Sequence, residues 1–441
     1  MRPLLALIVF SLTLNTALRA DSPVAQRIDA YLQPYLTMQD FSGCVLVAKH
    51  GEVLIRKCYG GANYELNVAN TPNSKFHIAS VTKSFTAAAI VILQKQGKLQ
   101  LTDKLSHYIP DFPEGDKITI AELLEHSSGI PSYYAVPEYE DLKLKPVHFD
   151  DLIAIMRKKP LDFEPGTKGS YSDTGYAFLA YIIEKVSGKP YGQFIADEIF
   201  SPLGMKGSGT FSDTALIPDR ATGYQPWTGK ENLRIAPFYD KTIISGSGSL
   251  YSTVDDLYTW YKAVRDKRLF DIKTLEYPYG WGEREFEGKK FIEQSGRDPG
   301  YVARIAAFLD DDVAVIVLSN VEVGADDPIA KGLEAIAFGG NPAPPVPRAT
   351  IRVAAESLKQ YEGRYEVSPS LVMDVKVMGD HLFLRGSGGD YLPLDATAPD
   401  TFFYKQLYAS MVFHHDNDAK VDSLLWGGDY PCKRIADQPL P

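Results

Sequence analysis

A chain of 441 residues that is 45% hydrophobic and 23% charged has the composition of a globular protein with apolar material for two or three domains. Its net charge of −10 and the lack of any Lys/Arg cluster exclude nucleic acid as the natural partner, because a phosphate-binding surface needs a basic excess.

The first element is "MRPLLALIVFSLTLNTALRA". One Arg precedes an apolar run from Leu4 to Leu14, and small residues follow up to Ala20. That layout predicts a secretory signal peptide over residues 1–20, with the mature chain exported to the periplasm or the medium. The apolar run is shorter than the ~20 residues a membrane span needs, so no span is expected once the leader is removed. Next, "VAQRIDAYLQPYL" places Val24, Ile28, Tyr31, Leu32 and Tyr35 on one helical face, with Pro34 bending or ending the helix. "CVLVAKHGEVLIRKCYGG" reads as a hairpin turning at His50–Gly51–Glu52, which sets Cys44 opposite Cys58. Two readings stay open for that pair, a cross-strand bridge in an oxidising compartment or two small hydrophobes facing a core. Cys432 is left over, and none of the three cysteines sits where a thiolate would be activated.

An apolar helix follows Ser80 and closes at Gly97. Residues 100–240 mix helical patterns with Pro/Gly loops. Strand patterns return in "KKFIEQSG" and in "YVARIAAFLDDDVAVIVLSN", the latter a hairpin around Asp310–Asp312, before a last helix in "DPIAKGLEAIAFG". The proline-rich stretch 341–350 predicts a stiff linker, and residues 351–441, with alternation around Gly379–Asp380, predict a separate small β-barrel. The main domain, residues 21–340, is expected to be α/β (α+β). Two early and three late strands make one antiparallel sheet, the first and last helices cover one face, and the helical middle is an inserted half. A cleft between the halves is the natural place for a site.

The candidate chemistry begins in "FHIASVTKSF". Ser80 and Lys83 stand one helical turn apart at a helix start, so the lysine reaches the serine hydroxyl while the helix dipole and backbone N–H groups face the same oxygen. This is the one Ser-x-x-Lys in the chain. On its own it reads better as a serine cap beside a surface lysine. Tyr171, in "YSDTGYAFLAYIIEKVSG", precedes another helix; a tyrosine beside a lysine ammonium has its pKa lowered and can serve as a base. In "EQSGRDPGYVARIAAF" a glycine-containing strand offers the backbone N–H of Arg297 as an oxyanion donor.

With these three pieces the chain resembles the serine β-lactamase-related proteins: class C β-lactamases, D-alanyl-D-alanine carboxypeptidases, D-aminopeptidases, related esterases and penicillin-binding-protein-like relatives. The resemblance covers roughly residues 22–340 and rests on Ser80–Lys83, on Tyr171-Ser172-Asp173 and on Gln294-Ser295-Gly296, with flanking phrases "LLEHSSGIP" and "GSGSLYSTVDDL". It implies a β-lactamase/transpeptidase-like fold, joined here to a lipocalin-like C-terminal barrel. It implies a serine hydrolase with Ser80 as acylated nucleophile, Lys83 and Tyr171 sharing general-base work, and an oxyanion hole from the amides of Ser80 and Arg297. Asp173, Gln294, Ser295 and Gly296 would contact a small ester, amide or peptide substrate. No cofactor and no metal are expected; there is no His-Glu-x-x-His and no Gly-x-Ser-x-Gly.

Two departures shape the expectation. The family's usual Asn is Asp173 here, which cannot donate to a substrate carbonyl when ionised and which holds Lys83 protonated, leaving Tyr171 the better base. The third box opens with neutral Gln294 where the family has a cation, unless the Arg297 side chain substitutes. The site therefore favours neutral esters, or amides and peptides with a free amine near the scissile bond, over anionic β-lactams. The same departures support a rival reading, a non-hydrolytic sensor or binding protein. His126 is expected to be structural, and "HHDNDAKVD", residues 414–422, to be a solvated turn rather than a calcium loop.

Overall fold

The computed structural model describes residues 22–435 apart from 213, 230–231, 273–278, 369–370 and 387–388; the expected signal peptide lies outside the described residues. The main domain is built on a six-stranded antiparallel sheet. Its elements in chain order are α1 (Pro23–Thr37), β1 (Gly43–Lys49), β2 (Glu52–Tyr59), α2 (Thr82–Lys95), α3 (Asp173–Ser187), α4 (Val254–Arg265), β3 (Gly282–Phe286), β4 (Lys289–Asp298), β5 (Tyr301–Phe308), β6 (Val313–Ser319) and α5 (Asp326–Ala337). The strand order is β3-β4-β5-β6-β1-β2. All seven residues of β6 are buried, as a strand covered on both faces requires. Alternation divides β1 between two cores: Val45 and Val47 pack with α1 and α5, whereas Cys44, Leu46 and Ala48 face α2 and α4. The first and last helices thus share one face, as expected.

One expectation is corrected and two open ones are narrowed. Of the two roles open to Pro34, ending the helix is excluded: α1 runs on to Thr37 with the proline inside it. The late strands number four rather than three, because β3 ("GEREF") is a polar edge strand with mostly exposed residues, and an edge of this kind carries no apolar period to read. The Cys44–Cys58 question resolves to a disulfide, with the two residues paired directly across β1 and β2; Cys432 is a buried free thiol in the barrel.

Between β2 and β3 lies the helical half. Its α3 packs against α2, and the Trp260 indole of α4 stacks on Phe85 of α2 at 4.4 Å. The serine-bearing helix is therefore central, buried from Thr82 to Leu93. Residues 341–350 form no regular structure. Eight strands from Gly363–Ser368 to Tyr430–Ile435 then close into a barrel filled by its own apolar side chains, among them Tyr365, Leu384, Phe402, Met411 and Leu424. Residues 416–420 form the turn between two of these strands.

Candidate active site

Ser80 sits in a single 3-10 turn, Ala79–Val81, that leads into α2. Ala79 holds φ at +44°, a left-handed conformation that costs a residue with a Cβ and is kept only where the surroundings enforce it. Three contacts enforce it. The Ile78 amide donates to Leu250 O at 3.0 Å, and the amide of Gln294 Nε2 donates to the Ser80 carbonyl at 2.9 Å. Gly296 of β4 packs so closely that a Cβ there would lie 2.4 Å from Ile78 O and 2.6 Å from Ser80 N. Only glycine fits under the serine turn.

Lys83 is fully buried, and its ammonium has three donors to place. One goes to Ser80 Oγ at 3.1 Å, one to Asp173 Oδ1 at 2.7 Å and one to Ser247 O at 2.8 Å. Burial works to lower its pKa, but the charge of Asp173 and the nearby Tyr171 phenol outweigh it and the net direction is up. A lysine so held donates and does not accept. Tyr171 donates its hydroxyl to Ser80 Oγ at 2.8 Å, and the Lys83 Nζ lies 4.8 Å from its ring centre. Burial pushes the Tyr171 phenol up, with Lys83 pulling it down and Asp173 pushing it up again. This corrects the expectation of a lowered tyrosine: loss of water around the phenol outweighs the ammonium, and the Asp173 carboxylate, standing where the family carries Asn, adds to the rise. Tyr171 stands just before Ser172, which caps α3 by accepting from Gly175 N at 3.4 Å.

His126 orients this segment. Its Nδ1 accepts from Ser172 N at 3.1 Å, and its ring lies 4.5 Å from that of Tyr171 and 5.1 Å from that of Tyr176. Burial, reinforced by the Lys83 charge, lowers its pKa to about 4. A folded-state pKa below the ordinary 6.5 means that the unfolded chain binds the proton more readily, so this contribution is whole above pH 6.5 and is lost as pH falls toward 4. His126→Asn keeps an acceptor for Ser172 without titrating, and Asn tolerates the +59° φ found here. Urea midpoints should therefore fall less steeply between pH 6.5 and 4 in this variant than in the parent chain.

The cleft holding Ser80 has a volume of about 490 Å³. Tyr171 and Asp173 line one side; Ser295, Gly296 and Arg297 line the other. Gln294 is the exception among the expected contact residues. The Gln294 amide is committed to the Ser80 carbonyl and is absent from the cleft lining, whereas Ser295, Gly296 and Arg297 belong to it. Arg297 does not present a free cation, since its Nη2 pairs with Asp326 Oδ1 at 3.3 Å. Arg304, also in the lining, is tied to Glu293 at 2.6 Å and to Asp326 at 3.0 Å. The structure thus gathers Ser80, Lys83, Tyr171 and Asp173 into one hydrogen-bonded group facing Ser295, Gly296 and Arg297. Ser247, whose carbonyl takes the third lysine proton, was signalled only by the phrase "GSGSLYST". Among the described residues no group of His, Cys, Asp and Glu could hold a metal ion, and no helix is long and apolar enough to cross a membrane.

The chain belongs to the Beta-lactamase family, whose model matches residues 28–337, and it is a serine hydrolase of that β-lactamase-related class. Residues 347–437, which contain the barrel, match a domain of unknown function (DUF3471). The chain is 28% identical over 422 residues to penicillin-binding protein 4* of Bacillus subtilis, covering 88% of this chain and 93% of that protein. It is 27% identical over 322 residues to a teichoic acid D-alanine hydrolase of Staphylococcus aureus, covering 69% and 76% respectively. The octameric penicillin-binding protein homologue from Pyrococcus abyssi superposes with a TM-score of 0.62 at 27% identity, over 93% of this chain and 100% of that one.

Proposed function

We propose that the protein is an exported hydrolase that forms an acyl-enzyme on Ser80 and cleaves small neutral or amine-bearing esters and amides, with β-lactams as poor substrates. The observation that carries the reading is the convergence of Lys83 Nζ and Tyr171 OH on a single oxygen, Ser80 Oγ, at 3.1 and 2.8 Å. In the resting arrangement Tyr171 is the donor. The reactive form has lost that phenol proton, and the Lys83 ammonium stabilises the phenolate left behind. Ser80 Oγ then attacks the substrate carbonyl as its proton passes to Tyr171. The negative oxygen of the tetrahedral adduct meets the backbone N–H groups of Ser80 and Arg297, the second of which follows the Gly296 that packs under the serine turn. Collapse breaks the bond to the leaving group, which takes the proton from Tyr171. Water enters, gives a proton to Tyr171 and attacks the ester, and Ser80 leaves with its proton restored.

The preference for uncharged or cationic substrates rests on the charges of the cleft. Among its lining residues the acids Asp173, Asp326 and Asp327 outnumber the bases Arg297 and Arg304, both bases are paired, and Gln294 is neutral. An incoming carboxylate finds no free cation. A relative that acts as a teichoic acid D-alanine hydrolase is in keeping with a small aminoacyl substrate. Export to the periplasm or medium is supported by the leader and by the Cys44–Cys58 bridge, which persists in an oxidising compartment. The test is a comparison of kcat/KM for p-nitrophenyl acetate with that for a penicillin and a cephalosporin. Faster ester turnover in the parent chain, with a gain in β-lactam acylation on Asp173→Asn, is expected. Far faster hydrolysis of either β-lactam would remove the electrostatic basis of this reading.

A further inference from the structure

The barrel reaches the catalytic cleft through one turn. Residues Lys405–Tyr408 join two of its strands, Thr401–Tyr404 and Ala409–His415, and Leu407 lines the same 490 Å³ cleft as Ser80 and Tyr171. The turn is pinned on both sides of the leucine. On one side Gly324 N donates to Lys405 O at 2.9 Å, and Lys405 Nζ meets Asp40 Oδ1 at 3.1 Å and Met38 O at 3.2 Å. Gln406, also before the leucine, donates its Nε2 hydrogen to Glu322, and on the other side Tyr408 OH donates to Asp40 Oδ2 at 3.2 Å. Asp40 and Glu322 are both buried carboxylates of the catalytic domain, and Arg348 of the linker pairs with Asp40 as well. The approach is close enough that a Cβ on Gly324 would stand 2.7 Å from Gln406 O.

Against that clamp the leucine itself is anomalous. Leu407 is 55% exposed and belongs to none of the three hydrophobic cores. Every polar neighbour in the turn has a partner in the catalytic domain, so the turn needs no leucine to hold its place. An exposed aliphatic side chain held at the edge of a cleft whose lining also includes Tyr134 and Val302 offers apolar surface that a ligand can cover.

We propose that Leu407 is a specificity-determining residue supplied by the barrel, and that it contacts an aliphatic or aromatic substituent flanking the scissile bond. The inference rests on the hydrolase reading above and narrows its substrate class to esters and amides with such a group. The test uses the full-length enzyme and two ester series, p-nitrophenyl acetate against p-nitrophenyl hexanoate for the acyl side and ethyl against hexyl acetate for the alcohol side. In Leu407→Ala the long-to-short ratio of kcat/KM should fall about ten-fold in one of the two series, and further in Leu407→Glu, while both variants are still labelled on Ser80 by a fluorophosphonate. Ratios within about two-fold of the parent in both series would overturn the assignment, even if absolute rates fell. A parent enzyme that takes no label would overturn the hydrolase reading and this inference with it.

Discussion

Lys83→Met should both stop turnover and destabilise the fold. Lys83 is fully buried and Asp173 nearly so, and removing one partner of a buried ion pair leaves the other without compensation, a loss of about 3–5 kcal/mol. The rate should fall by about 10²–10⁴-fold, because the positive charge that favours the Tyr171 phenolate is gone. The two effects separate in Lys83→Met combined with Asp173→Asn. Removing the orphaned carboxylate should return most of the stability, read as the urea midpoint, without returning the rate. The sign with pH follows from the raised Lys83 pKa: the pairing is complete below the ordinary lysine value of 10.5 and is lost only as pH rises through the still higher folded value. Pair stability is therefore constant across the neutral range.

The second large effect is the converse. Tyr171→Phe should lower kcat/KM on p-nitrophenyl acetate by about 10²–10⁴-fold while changing stability little, since the residue is 54% exposed and loses one hydroxyl contact. The parent enzyme carries a second signature of the same group. Although the residue as a whole is half exposed, its hydroxyl is turned in against Ser80 and Lys83, where loss of water raises the phenol; the phenolate fraction grows about ten-fold per pH unit below its pKa, so log kcat/KM should climb from pH 7 to 9.5 without a plateau. Tyr171→Phe should flatten that climb. A pH-independent parent rate would show that some other group accepts the Ser80 proton.

The hydrogen-bonded group around Ser80 was legible in the sequence because its signals are local. Ser80 and Lys83 share a face through helical spacing alone, Tyr171 precedes a helix whose cap is the next residue, and the Asp173 departure stands beside it. The consequence drawn from Asp173, a protonated lysine, agrees with the 2.7 Å contact. The part that was not legible depends on facing and on distance along the chain. Whether Gln294 meets the substrate or the Ser80 carbonyl turns on which side of β4 it occupies, and that is fixed only when Gly296 packs under the serine turn. The raised Tyr171 phenol depends on how far its hydroxyl is withdrawn from water and on how the Lys83 and Asp173 charges then balance, quantities no spacing encodes. Edge strand β3 escaped because Glu283, Arg284 and Glu285 give it no apolar face. Leu407 lies more than 300 residues from Ser80 in a different domain, and a lone leucine in "KQLYAS" carries no motif.

All of these expectations depend on one hydroxyl oxygen made nucleophilic by two neighbours far apart in sequence. Intact-mass spectrometry after incubation with a fluorophosphonate measures that property without any knowledge of the natural substrate. The account predicts a single adduct, mapped by peptide digestion to Ser80, absent in Ser80→Ala and strongly slowed in Tyr171→Phe. An unmodified protein, or an adduct that persists in Ser80→Ala, would contradict it.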